Sequence, residues 1–405
     1  MKFPVLAGQA DLLLWQETSG HSPSPLGFIM NYPDQVRPEH IVMGIESVVR
    51  GFSALRLKFS GSAQLGYFQE IVPFDLHVLD IEFHDVCGVS ADKQSRYINS
   101  ILYRDTVEWD WDRRGMYRFV VVKVSEQKYR LVISLQQMAV DRESIILVIN
   151  SLRSTVLDAA NGDVPVVPED RYESVVAGAR LTSRVGAAAK LYWQREFDLP
   201  ADAFNDNSDI PAARLRTHIV AIEGAAYINL KQTVAAGSWG PAALFLDRLA
   251  TVWQRYRPRA TLVDAVCTFR SAELANQVGM FSTIRPIVMD LGGNSWHDRI
   301  AGQLIRASAY QQFDSSELRS IEQRSAVPQR PFPVFNYIGA VGTGPKSEKF
   351  DVVSTTRFSP SNTMARPILV KIRDIGDAFA ITVQTNYAKF SAEESQNIVG
   401  ELIGQ

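Results

Sequence analysis

The residues best placed to do chemistry lie in Ser134-Leu-Gln-Gln-Met-Ala-Val-Asp-Arg-Glu-Ser144. A β-rich run ends there, two adjacent carboxamides follow, then a carboxylate, a hydroxyl and an amphipathic run. Asp141 stands where a helix cap would accept the first free N–H groups, with Ser144 in the opening turn. That accounts for Asp141 and Ser144 but not for Gln136 and Gln137, whose side chains should leave a strand end on opposite faces. A carboxamide donates and accepts hydrogen bonds yet exchanges no proton near neutrality, so this pair suits orientation rather than acid–base work.

Other chemistries lack their residues. The six histidines (His21, His40, His77, His84, His218 and His297) show no metal-binding spacing. His40 falls on an expected helix and His297 opens one, which suits surface or capping positions. Cys87 and Cys267 provide neither a disulfide framework nor a ligand set. Gly339-Ala-Val-Gly-Thr-Gly344 lacks the ending and setting of a phosphate loop and reads as a flexible turn. No Gly-x-Ser-x-Gly elbow occurs.

The motif needs a strand to deliver it and a helix to receive it. Tyr117–Val124 and Tyr129–Leu135 are β-rich runs around polar Ser125–Lys128, a hairpin signal. The next helix is expected over 144–157, with Ile145, Val148, Ile149 and Leu152 as its stripe. Upstream, a helix is expected over 37–50 and stopped by Gly51, then a strand over 55–59 and a short helix over 95–103. Asn161 to Asp170, rich in Pro, Gly and acids, is the clearest linker. Beyond it come helices near 187–197, 228–237, 240–256 and 297–310. Strands are expected near 214–223, 261–269, 281–291, 368–372 and 379–384, with a Pro-rich stretch at 328–333. A last helix opens at Ser391, where Glu394 completes a capping box.

The 405 residues suggest two or three domains at about 150 each. Folding should hide roughly three quarters of the unfolded surface. Lys plus Arg total 42 against 44 Asp plus Glu, which disfavours nucleic acid or an anionic membrane as partner. No apolar run is long enough for a signal peptide or a membrane span, so a cytoplasmic protein is expected.

The 134–144 segment resembles the active-site motif of the nonribosomal peptide synthetase condensation-domain superfamily, His-His-x-x-x-Asp-Gly, with Gln136 and Gln137 in place of both histidines. Ala10–Trp15 resembles the opening motif, and Phe52–Phe59 the His-Glu-x-Leu-Arg-x-x-Phe motif without its His. Tyr192-Trp193 resembles the pair before the second half, and Val278–Pro286 resembles Ile-Gly-x-Phe-x-Asn-Thr-x-Pro. Phe335-Asn-Tyr337 and Thr385–Phe390 resemble the last two motifs. They run colinearly over about 380 residues. The resemblance implies an α/β fold of two chloramphenicol-acetyltransferase-like lobes in a V-shaped pseudo-dimer, with a tunnel at the junction for phosphopantetheine arms. Residues 1–165 would be the N-terminal lobe and 166–405 the C-terminal lobe, with 270–286 and 335–365 crossing over as floor loop and latch. The fold would be monomeric, with no cofactor or metal of its own.

At the motif, Gln137 occupies the position of the His that steers or deprotonates the attacking amine. Losing such a base removes about 10²–10⁴ in rate. Arg142 replaces the motif Gly, and either turns outward, or points inward and narrows the tunnel or binds an anionic group. The motif Asp usually pairs with an Arg, but alignment on Pro286 puts Val288 there. Arg270 and Arg285 are the substitute partners for Asp141, and Arg142 is a third way to neutralise it. With no adenylation or carrier module accompanying it, the chain is expected to be a free-standing condensation-like protein without ordinary activity, one that binds a carrier protein, a synthetase module or a tailoring enzyme. The alternative is an active enzyme in which Gln136, Gln137 and Asp141 support acyl transfer, cyclisation or release of a carrier-bound thioester.

Overall fold

The computed structural model describes residues 2–20, 22–23, 25–109, 115–179, 183–198, 215–237, 240–256, 262–268, 270, 272–289, 296–325, 332–339, 353–354 and 367–404. The chain forms two compact units. The first comprises Met1–Thr182, Arg270–Phe281 and Ser347–Asn362, and the second the remaining three segments.

The first unit is built on a five-stranded sheet in the order Val353–Ser354, Leu26–Asn31, Lys128–Leu135, Tyr117–Ser125, Ile81–Asp85. Only Ile81–Asp85 pairs in parallel; the hairpin expected around 125–128 is present as an antiparallel pair. The run Phe119–Val122 is apolar throughout because both sheet faces are covered. Phe119, Val121, Leu131 and Ile133 meet Ile41, Ile45, Val148 and Leu152 of helices Pro38–Gly51 and Arg142–Ala160. Val120, Val122 and Val132 meet Ile98, Ile101 and Leu102 of helix Ala91–Glu108. Gly44 lets the first two helices close: a Cβ there would lie 2.4 Å from a Val156 methyl. Gly51 is the last helical residue rather than the stop, and Phe52 is the cap. A small antiparallel sheet of Lys2–Pro4, Gly66–Ile71 and Leu57–Ser62 completes the unit.

The linker is followed by residues that group with this unit, past the boundary drawn at 165. Asp170 explains this locally, since its carboxylate accepts the N–H groups of Ser53 at 2.7 Å and Tyr172 at 3.0 Å. Within the stretch expected as a latch, residues 340–352 and 355–365 lie outside the described residues, as do residues 340–344 of the glycine-rich turn and His21. Val353 and Ser354 pair with Ile29 and Phe28.

The second unit holds a six-stranded sheet in the order Ser282–Val288, Leu262–Thr268, Val334–Ile338, Ile368–Asp374, Ala378–Asn386, Leu215–Glu223. Val334–Ile338 runs parallel to its neighbours and the other pairs are antiparallel. Helices Ser183–Glu196, Gly224–Ala236, Pro241–Tyr256, Trp296–Ala309 and Ala392–Ile403 contribute to one core with Trp193, Phe245 and Phe379 fully buried. Ser391 and Glu394 form the expected capping box. Helix Ser315–Arg324, capped by Asp314, is an addition to the elements expected from sequence.

Candidate functional site: the loop between a central strand and a buried helix

Strand Lys128–Leu135 delivers the motif and helix Arg142–Ala160 receives it. Gln136 extends the ladder by donating its N–H to the Met116 carbonyl at 2.8 Å. Its side chain is fully buried and spent on architecture: Nε2 donates to the Pro23 carbonyl at 2.9 Å, and Oε1 accepts the Gln137 N–H at 2.8 Å. Gln137, one residue on, is half-buried, and its side-chain amide has no hydrogen-bond partner among the described residues. The pair that looks equivalent in sequence is therefore divided into one structural amide and one free amide.

Asp141 is the helix cap, with Oδ1 accepting the Ser144 N–H at 2.9 Å. It is also half of a buried ion pair. Arg270 Nη2 reaches Oδ1 at 2.6 Å and Arg270 Nε reaches Oδ2 at 3.1 Å. The guanidinium also donates to the carbonyls of Leu274 and Gln277, and its carbon lies 4.9 Å from the Phe281 ring centre. Ser144 Oγ is the hub: it lies 2.7 Å from Asp141 Oδ1, 2.7 Å from the Gly279 carbonyl, 2.7 Å from Arg270 Nη2 and 2.9 Å from the Gly279 N–H. The Asp141 N–H also donates to the Gly279 carbonyl. Segment 270–281 is thereby tied to the motif by charge and by backbone.

Of the arginines weighed for Asp141, Arg270 makes the pair. Arg142 turns to its neighbour Glu143 at 3.3 Å, with about a third of each side chain exposed. Arg285 is buried in the second unit, where it donates to the carbonyls of Gln311, Phe313 and Ile284. Val288 is a core residue opposite Leu262.

Sequence reasoning passed over a second buried set behind the loop. Gln9 Nε2 donates to the Met138 carbonyl at 3.0 Å and to the Tyr172 hydroxyl at 3.1 Å, and Tyr172 donates to Gln69 Oε1 at 2.7 Å. Burial holds the Tyr172 hydroxyl well above the usual phenol range, so it stays protonated and acts as a hydrogen-bonding strut. Beneath the strand, Ser134 donates to Asp105 at 2.6 Å, and Arg118 joins Asp105 to Glu82. His40 caps its helix, accepting the Arg37 N–H at Nδ1. Neither the loop nor its supports place a histidine beside Gln137 among the contacts described. Among the described residues no group of three or more His, Cys, Asp or Glu could hold a metal ion, and no helix is long and apolar enough to cross a membrane.

No family model matches the sequence, and no curated protein does. Solved structures do match. A teicoplanin-biosynthesis X-domain, solved in complex with OxyB, aligns with TM-score 0.76 at 13% identity, covering 99% of this chain and 93% of its own. The epimerization domain from the third module of tyrocidine synthetase B aligns with TM-score 0.74 at 13% identity, covering 99% and 96%. The first condensation domain of the calcium-dependent antibiotic synthetase aligns with TM-score 0.72 at 13% identity, covering 100% and 95%. The chain thus has the mixed α/β fold of nonribosomal peptide synthetase condensation domains, which its colinear motifs resemble.

Proposed function

We propose that this is a condensation-like protein of a nonribosomal peptide or hybrid natural-product pathway, without ordinary condensation activity, that works by binding a carrier protein, a synthetase module or a tailoring enzyme. The observation that carries the reading is the free carboxamide of Gln137 at the motif position of the steering His. An amide cannot take a proton from an amine. Asp141, the one carboxylate of the motif, is committed to Arg270 and Ser144. A neighbour of the same fold was solved with OxyB bound, which supports a recruiting role. On this reading the two units are the two chloramphenicol-acetyltransferase-like lobes, a phosphopantetheine tunnel is present, and the protein is a cytoplasmic monomer with no cofactor of its own.

A second reading is favoured by the same side chain. Positioning tethered reactants is worth roughly 7–11 kcal/mol, so a free amide that orients a thioester supports slow acyl transfer, cyclisation or release. The experiment measures binding of purified, phosphopantetheinylated carrier proteins from the same gene neighbourhood, then mass spectra of the loaded carriers after incubation. Saturable binding with unchanged acyl load supports the first reading. A product that disappears in Gln137→Ala supports the second, and no binding to any carrier or neighbouring enzyme sinks the first.

A further inference from the structure

The polar groups of the motif divide sharply into spent and unspent. The Gln136 amide is held by Pro23 and the Gln137 backbone. Both Asp141 oxygens face Arg270, and one also faces Ser144. The Ser144 hydroxyl has four neighbours within 2.9 Å, which exhausts one donor and two lone pairs. Glu143 takes the single contact that Arg142 makes. Three groups keep spare capacity: the half-buried Gln137 carboxamide, and Arg142 and Glu143, which share one 3.3 Å ion pair with each other.

This inventory selects ligand charge. A protonated amine brought to Gln137 finds one neutral acceptor, Oε1; the Asp141 carboxylate is committed to Arg270 and Ser144, and the Glu143 carboxylate is paired with Arg142. Taking an ammonium out of water is costly, and one hydrogen bond to a neutral acceptor offsets only a small part of that cost. A secondary amide suits the site better. A trans amide presents its carbonyl and its N–H on opposite sides, so such a group meets Gln137 either with its carbonyl on Nε2 or with its N–H on Oε1, and in both cases no charge is desolvated.

We infer that Gln137 reads a neutral peptide group, so the loop holds a chain whose amine is already acylated and discriminates against a free amine awaiting acylation. The inference rests on the proposed reading and names the ligand class of that site. Two sources offer the same chemistry: the peptidyl group, and the amides of the pantetheine arm itself.

The test uses the full chain and three stable probes in calorimetry: pantetheine, glycyl-pantetheine as a non-hydrolysable thioether ketone, and its N-acetyl counterpart. The N-acetyl probe should bind at least tenfold more tightly than the free-amine probe at pH 7. Its affinity should be flat from pH 6 to 9, while the free-amine probe should improve as its ammonium, pKa about 8, loses its proton. Gln137→Ala should erase the preference without shifting the melting temperature. Pantetheine binding as tightly as the N-acetyl probe, with loss in Gln137→Ala, assigns the amide to the arm and upholds amide reading. Equal affinity for amine and N-acetyl probes, a preference that survives Gln137→Ala, or no binding of any probe at millimolar concentration overturns it. Carrier proteins that bind with no such preference would leave the proposed function standing while this inference falls.

Discussion

Arg270 holds Asp141 with two nitrogens on two oxygens, Nη2 to Oδ1 at 2.6 Å and Nε to Oδ2 at 3.1 Å, and fewer than one tenth of either side chain is exposed. Side-on pairing of this kind fixes direction as well as charge. It fastens segment 270–281 to the opening of a helix more than a hundred residues away in sequence. Asp141 is therefore a tie and a cap together.

Breaking the tie from one side should be costly. Asp141→Ala leaves a buried guanidinium with only neutral partners, the Leu274 and Gln277 carbonyls and the Ser144 hydroxyl, and removing one member of a buried pair typically costs about 3–5 kcal/mol. Loss of the cap adds about 1 kcal/mol. Urea unfolding should show a drop in this range. Asp141→Ala combined with Arg270→Met should recover part of it. A drop below about 1 kcal/mol would mean that the pair does not hold the segment.

Gly279 is the backbone half of the same junction. A Cβ there would sit 2.7 Å from the Phe281 ring and 2.8 Å from the Tyr172 ring, and Phe281 also packs against Arg270. Neither ring can retreat freely, since Tyr172 is bonded to Gln9 and Gln69. Gly279→Ala should destabilise by about 1–3 kcal/mol through overpacking, read as a lower denaturation midpoint with an unchanged slope.

How much of this was legible in the sequence depends on whether a signal is local. The hairpin, the helix after Asp141 and the Ser391 cap are written in neighbouring residues, and all three are present. The Asp141 partner could be narrowed to Arg270, Arg285 or Arg142 but not chosen, because a side chain's partner across 129 residues leaves no period behind. The same holds for Gln9, Gln69 and Tyr172, single polar residues in unrelated elements. Helix Ser315–Arg324 did carry a signal, with Asp314 accepting the Glu317 N–H, but its ten mostly polar residues hide a stripe of only Leu318 and Ile321. The unequal roles of Gln136 and Gln137 emerge only once the Pro23 carbonyl is seen over one of them.

That inequality predicts unequal stability effects from neighbouring substitutions. Gln136→Ala leaves the buried Pro23 carbonyl without its side-chain donor, which costs about 1–3 kcal/mol, and frees the half-buried Gln137 N–H. Gln137→Ala removes a side chain without partners among the described residues and should stay within about 0.5 kcal/mol of the parent. Thermal unfolding of the two variants side by side checks this, and comparable losses would refute the division of labour.

The second unit provides a pH test of its own. Asp247 on helix Pro241–Tyr256 is buried, and burial pushes its carboxyl up to about 7 against the opposing pull of Thr251 and Arg248. A carboxyl raised on folding keeps its proton in the native state after the unfolded chain has lost it. Between about pH 4 and pH 7 the unfolded state therefore binds fewer protons, and stability must fall as pH rises. Above pH 7 the native state carries the full cost of a buried carboxylate. Asp247→Asn keeps the shape and cannot ionise, so its unfolding free energy should lack this downward slope. It should exceed the parent's by about 1–3 kcal/mol at pH 8 and converge with it near pH 4, since each tenfold change in proton affinity is worth about 1.36 kcal/mol. Parallel pH profiles for the two proteins would show that this carboxyl titrates normally and that its burial is relieved by contacts stronger than the Thr251 hydroxyl at 3.3 Å.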